Sequence, residues 1–215
     1  MRGITQTENT ILLESKPYLT KQEVAVLLQK RGKNLDKKIS QLLKTGYLIS
    51  LKKGLYTTNA YMTGQIPQLR EFLANVQYYP SYISLEYVLQ KEGVIPEAVY
   101  AYTSITLKPT QTFTNALGTF IYRSIKESLF TGYEQVRYND QYQIKIASKM
   151  KALFDLLYLK PLPATIARKK QTLEDLRIRT DVITPADIEE FNSYVALADS
   201  PKMKQVSNII TKLSL

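Results

Sequence analysis

Between Thr20 and Thr58 the apolar residues change period twice, and no other stretch of this 215-residue chain limits the fold so tightly. Thr20-Lys21-Gln22-Glu23 sets a carboxylate three residues after a hydroxyl, the reciprocal pairing that opens a helix. Apolar Val24, Leu27 and Leu28 then mark one face. Arg31-Gly32-Lys33 interrupts the run. A second helical pattern opens at Asn34, with Leu35, Ile39, Leu42 and Leu43 on one side. Gly46 stops it. Two short β-like runs follow, Tyr47 to Leu51 and Leu55 to Thr58, joined by a tight turn at Lys52-Lys53-Gly54.

Helix, turn, helix and hairpin, in that order, predict a winged helix-turn-helix that reads nucleic acid. The fold class expected is α+β: a winged helix-turn-helix domain over 1–60, then a mixed α/β C-terminal domain over 68–215. Residues 59–67 read as a linker punctuated by Gly64 and Pro67. Thr5 to Ser15 is expected as a supporting helix, with Ile4, Ile11 and Leu12 facing inward. Charge agrees with this division. Residues 1–59 carry eleven Lys and Arg against four acids, a net charge of +7 out of +10 for the whole chain. Positive charge concentrated on a quarter of the chain is the footprint of a polyanionic partner.

The second domain alternates between periods. Leu69 to Val76 reads as a helix, and Ser84 as the cap of another that runs to about Lys91, before Gly93. Strands are expected at Ala98 to Thr106 and Thr112 to Thr114. A hairpin over Asn115-Ala116-Leu117-Gly118 leads to a third at Thr119 to Ile125. A second hairpin joins Tyr133 to Tyr138 with Tyr142 to Ile146 through Asn139-Asp140. In its last strand Tyr142, Ile144 and Ile146 alternate with Gln143 and Lys145. From Ala147 the period becomes helical, and Met150, Leu153, Phe154, Leu157 and Tyr158 form a broad apolar stripe that ends before Pro161. Asp155 within it reads as an exposed or capping acid. Arg168-Lys169-Lys170 reads as a solvated basic loop, and Thr172 to Arg177 as a short helix. Thr184-Pro185-Ala186-Asp187 starts a helix to Leu197, and 203–213 form a last one. Most of the 16 Tyr fall in β-like runs, where aromatic rings pack a half-buried face.

Composition removes much chemistry. With no His and no Cys there is no Cys/His zinc site, no His-based triad and no thiol nucleophile. No Gly-x-Gly and no Gly-Lys-Ser/Thr occurs, so no loop is built to cradle phosphates. The expectation is therefore no catalytic residue, no metal and no cofactor. No apolar run approaches the ~20 residues of a membrane span. The first residues lack the apolar core of a signal peptide, so the expected location is the cytoplasm and no membrane partner is expected.

If the second helix lies in a major groove, its N-terminal polar residues face base edges. Those residues are Asn34, Lys37, Lys38 and Gln41, which avoid the apolar stripe. Asn and Gln suit adenine, and Lys suits guanine. Asn34 serves equally well as a helix cap. Lys33, Lys44, Lys52 and Lys53 are placed for phosphates.

Downstream segments carry a more specific resemblance. Tyr82-Ile83-Ser84-Leu85-Glu86-Tyr87-Val88-Leu89 with Gly93-Val94-Ile95-Pro96-Glu97 resembles the signature of antitoxins of the abortive-infection AbiE system. Thr103-Ser104, Gly118-Thr119-Phe120-Ile121-Tyr122, Phe130-Thr131-Gly132-Tyr133 and Ala152-Leu153-Phe154-Asp155-Leu156-Leu157-Tyr158 follow the same pattern in order. The likeness covers roughly 7–160. It implies a type IV antitoxin whose winged helix represses its own operon. It also implies a C-terminal domain that counters a separately encoded nucleotidyltransferase-like toxin without a stable complex. The operator would be double-stranded DNA with repeated half-sites. One departure stands out: relatives carry Pro-Glu-Lys before the Ala-Leu of the core helix, and here Lys149 and Met150 replace the first two, with Lys151 retained. Two other readings remain open. One is a Mg-dependent nuclease delivered to DNA by the winged helix. The other is a transcription factor whose second domain holds a small ligand in a deep apolar pocket.

Overall fold

A computed structural model describes residues 13–63, 68–138 and 141–213. Mixed α and β elements divide into two compact units, 1–73 with 113–118, and 74–112 with 119–215. The predicted helix Thr5 to Ser15 lies outside the described residues except for its last three, and the predicted turn Asn139-Asp140 lies outside them altogether.

The first unit begins with β1 (Leu19–Thr20), α1 (Lys21–Leu28) and α2 (Gly32–Lys44). The hairpin β2 (Leu48–Lys52) and β3 (Leu55–Thr58) and the helix α3 (Asn59–Thr63) follow. Thr20 caps α1 as its sequence requires. Its hydroxyl accepts from the Glu23 N–H at 3.2 Å, and its own N–H donates to Glu23 Oε2 at 2.8 Å. Burial works to raise the Glu23 pKa. The bonds from Lys16 and Thr20, with the Lys16 charge, outweigh that and hold it below the usual carboxylate range. β1 was not foreseen: Leu19 and Thr20 pair with Tyr56 and Leu55, which makes a three-stranded antiparallel sheet in the order β1-β3-β2. Leu13, Leu19, Val24, Leu35, Ile39, Leu48 and Tyr56 close the core. Burying each aliphatic among them contributes about 1.5–3 kcal/mol. The expected linker opens instead as α3, directly after β3.

A six-stranded mixed sheet runs in the order β6-β7-β5-β4-β9-β8. Its strands are β4 (Ser81–Ile83), β5 (Ala101–Thr106), β6 (Gln111–Asn115), β7 (Gly118–Ser124), β8 (Tyr133–Arg137) and β9 (Gln143–Ala147). β5 and β7 run parallel, with Thr103 beside Ile121 and Ile105 beside Arg123. Tyr82 lies beside Ile105, so these residues share one face of the sheet. Ser104, Tyr122 and Ile83 share the other. The division between units falls within α4 (Leu69–Gln77). On the Tyr122 face, the Tyr122 hydroxyl donates to the Ala74 carbonyl at 2.7 Å. Asn75 pairs with the backbone of Lys145, accepting from its N–H at 2.5 Å and donating to its carbonyl at 3.2 Å. A side-chain amide thus supplies a ladder pair that the three-residue β4 is too short to make.

The helices are α5 (Glu86–Lys91), α6 (Lys149–Leu159), α7 (Ile166–Asp175), α8 (Pro185–Ala198) and α9 (Pro201–Leu213). α6 is the core helix its stripe predicts: Met150, Leu153, Phe154 and Leu157 are fully buried. Phe154 meets Phe191 and Tyr194 of α8 at ring distances of 6.1 and 5.7 Å.

Three sequence expectations are corrected here. Asp155 is neither exposed nor a cap. It is fully buried, ion-paired to the equally buried Lys151, and accepts from Ser84 Oγ at 2.7 Å and Tyr82 Oη at 3.0 Å. Ser84 therefore spends its hydroxyl on Asp155 rather than capping α5, and Leu85 takes the cap position. Arg168-Lys169-Lys170 is not a loop but part of α7, which starts earlier than predicted. Lys169 is buried, with its ammonium donating to the Ala164 carbonyl and Gln205 Oε1 at 2.8 and 2.7 Å.

Candidate nucleic-acid interface

α2 turns two different faces outward and inward. Leu35 and Ile39 are buried, and Leu42 and Leu43 pack half-buried against the same core. At 3.6 residues per turn, Asn34, Lys37, Gln41 and Lys44 fall on the opposite face, and all four are exposed. Lys33, in the first turn, is exposed as well. Lys38 sits at the border of the apolar stripe, which is why it is half-buried, and its ammonium donates to Gln41 Oε1 at 3.4 Å.

The helix starts two residues before the Asn34 of the sequence reading. Arg31 occupies the cap position and makes no side-chain cap bond, so Asn34 lies in the first turn with its side chain uncommitted to capping. No acid stands in that turn. The contrast with α1, capped reciprocally by Thr20 and Glu23, is physical: the positive end of the α2 dipole is left uncompensated and favours an anion. Exposed Lys30 and Arg31 flank it, a pair the sequence shows only as part of a basic count.

The hairpin places its two lysines differently from each other. Lys53 and Gly54 alone form the turn, with Gly54 at φ +78°, a conformation a two-residue turn demands and glycine meets without strain. Lys53 is exposed at that tip. Lys52 belongs to β2, opposite Leu55, after a register shift between Ser50 and Lys52, and is half-buried. The lysine pair of the sequence is therefore split between tip and strand.

Lys33, Lys37, Lys44 and Lys53 form no ion pair among the described residues, whereas Lys21 is taken up by Asp36 at 2.6 Å. Unpaired cations on one helix face and one hairpin tip suit phosphates, and the polar side chains between them suit base edges. Among the described residues no helix is long and apolar enough to cross a membrane. Compared with models of known protein families the chain matches none, and a comparison with curated proteins likewise gives no match.

Proposed function

We propose that the first unit is a winged helix-turn-helix that binds duplex DNA, with α2 as the reading helix and the β2–β3 hairpin as the wing. The observation that carries this reading is the exposed face of α2, where Asn34, Lys37, Gln41 and Lys44 stand opposite a buried apolar stripe. Asn34, Lys37, Lys38 and Gln41 contact base edges in the major groove. Lys33, Lys44, Lys52 and Lys53 hold phosphates. The uncapped N-terminus of α2 and the antiparallel order β1-β3-β2 support the same assignment.

On the resemblance described above, the chain represses its own operon from repeated half-sites and counters a nucleotidyltransferase-like toxin, acting in the cytoplasm without catalysis or cofactor. Both halves are open to direct test. Fluorescence anisotropy of the full chain, on duplexes from upstream of its own coding sequence and on shuffled duplexes, reads discrimination. Gln41→Ala and Lys37→Ala each remove about 1–3 kcal/mol of discrimination if they touch bases. Equal affinity of the unaltered protein for all duplexes defeats the DNA reading. Co-expression with a nucleotidyltransferase encoded beside it tests the antitoxin half. Growth restored by this chain is the expected result, and continued arrest with the chain folded and present overturns it.

A further inference from the structure

The second unit carries a cleft of about 610 Å³ that DNA reading leaves unused. Such a volume lies within the range of small-molecule sites. Leu85, Ile121, Leu156 and Leu159 give it an apolar lining. Glu86, Arg123 and Lys160 line it as well, together with Tyr100, which is 89% exposed. None of these three charged side chains has an ion-pair partner among the described residues.

The lining backbone is anchored by hydrogen bonds. The Thr103 hydroxyl donates to the Ser84 carbonyl at 2.6 Å and accepts from the Tyr87 N–H at 3.0 Å. Ser84 in turn is tied to Asp155. Between those anchors Leu85 is held at φ 62° and ψ −145°, a conformation costly for any residue with a Cβ and retained only when its surroundings over-determine it. The backbone at this side of the cleft is thus fixed by Thr103 and Asp155.

Its chemistry selects a ligand. Two cations against one carboxylate favour an anion. The planar guanidinium of Arg123, with Lys160 as a point charge, matches the oxygens of a phosphate. An unpaired carboxylate can only accept hydrogen bonds, which suits an amino donor, and an exposed Tyr offers a stacking face. An anionic phosphate, a flat ring and an amino donor meet in one small molecule. We propose that the cleft binds a nucleoside monophosphate whose base bears an exocyclic amine, with its phosphate at Arg123 and Lys160, its amine at Glu86 and its ring on Tyr100. This goes beyond the DNA reading and does not rest on it, because every residue involved lies in the second unit.

Isothermal titration of the full chain with AMP, GMP, CMP, UMP and inorganic phosphate tests the assignment. At least one of AMP, GMP and CMP binds with Kd below about 1 mM. UMP and inorganic phosphate bind more weakly. Arg123→Ala and Lys160→Gln each weaken that nucleotide about tenfold, as expected for a charge-assisted phosphate contact. Glu86→Gln weakens the amine-bearing nucleotide and leaves UMP unchanged. Circular dichroism confirms that each variant is folded. Absence of nucleotide binding below about 1 mM, or affinities untouched by Arg123→Ala and Glu86→Gln in folded protein, overturns the proposal.

Discussion

Lys151 and Asp155 stand one turn apart on α6 with no solvent contact on either side chain, and they neutralise each other inside the core. The ammonium is ringed by Tyr82, Phe154 and Tyr194, with ring centroids 5.6, 5.0 and 5.4 Å away. Burial pushes the Asp155 carboxyl up, to about 6, against the pull of Lys151, Ser84 and Tyr82. Burial likewise draws the Lys151 ammonium below its ordinary value, against the Asp155 charge. Removing one partner leaves the other charge stranded. Asp155→Asn is therefore expected to cost about 3–5 kcal/mol, whereas Lys151→Met with Asp155→Leu recovers most of the loss. Urea unfolding of the three proteins at neutral pH measures the difference. A double variant no more stable than Asp155→Asn would show that the charges themselves contribute to the fold.

Asp187 ties the start of α8 to the start of α6. It accepts from Thr184 N–H and from Lys149 Nζ, both at 2.7 Å. Burial works to raise its pKa. The hydrogen bonds from Lys149 and Thr184, and the Lys149 charge, outweigh it and hold the carboxyl below its ordinary value. A depressed folded pKa gives stability that is complete above the unfolded value and disappears as pH falls through the folded one. Asp187→Asn is expected to cost about 1 kcal/mol at pH 7. The gap between variant and parent should close below about pH 4. Unfolding midpoints taken along that range check it, and a gap that widens in acid would contradict the assignment.

Gly132 has φ +73°, and a Cβ there would lie 2.7 Å from Cζ of Tyr194. The Tyr194 ring has little freedom to retreat, since its hydroxyl donates to Glu190 at 2.8 Å. Gly132→Ala combines backbone strain with overpacking and should destabilise by about 1–3 kcal/mol. Thermal unfolding of Gly132→Ala alone and combined with Tyr194→Phe separates the two. If steric contact dominates, loss of the hydroxyl relieves part of the cost. An unchanged midpoint in Gly132→Ala rejects the close approach itself.

At the hairpin tip, Lys53 is assigned to the DNA backbone. Lys53→Ala should weaken binding to specific and shuffled duplexes alike and lower the salt slope by about 1. Lys52, half-buried in β2, should matter less. Titrations at several salt concentrations decide between them. A larger loss for Lys52→Ala than for Lys53→Ala would place the contact on the strand.

Local chemistry made much of this fold legible. The reciprocal caps at Thr20/Glu23 and Thr184/Asp187 and the stripe of α6 appear where their spacing requires. The exposed face of α2 follows from its apolar stripe by periodicity alone. What the sequence hid depends on partners distant along the chain. β4 is three residues long, too short for any period to show, and exists because β5 and β9 pair with it. Asp155 stands in an apolar stripe, where an acid looks out of place. The sign of its role was Lys151 one turn earlier on the same face, and its hydroxyl partners Tyr82 and Ser84 lie more than 70 residues away. At the wing, a register shift rather than residue type decides which lysine reaches the tip.

β4 also decides how the six-stranded sheet is joined. It is the shortest strand of the sheet, and it lies between β5 and β9. One side of the sheet, β6-β7-β5, is complete without it, and so is the β9-β8 ribbon. Among the described residues only the strand Ser81–Ile83 pairs with both, with Ile83 meeting Ile146 from a chain distance of about sixty residues. The two sets of strands therefore meet through a single tripeptide, and displacing Ser81–Ile83 would leave each of them with an open edge.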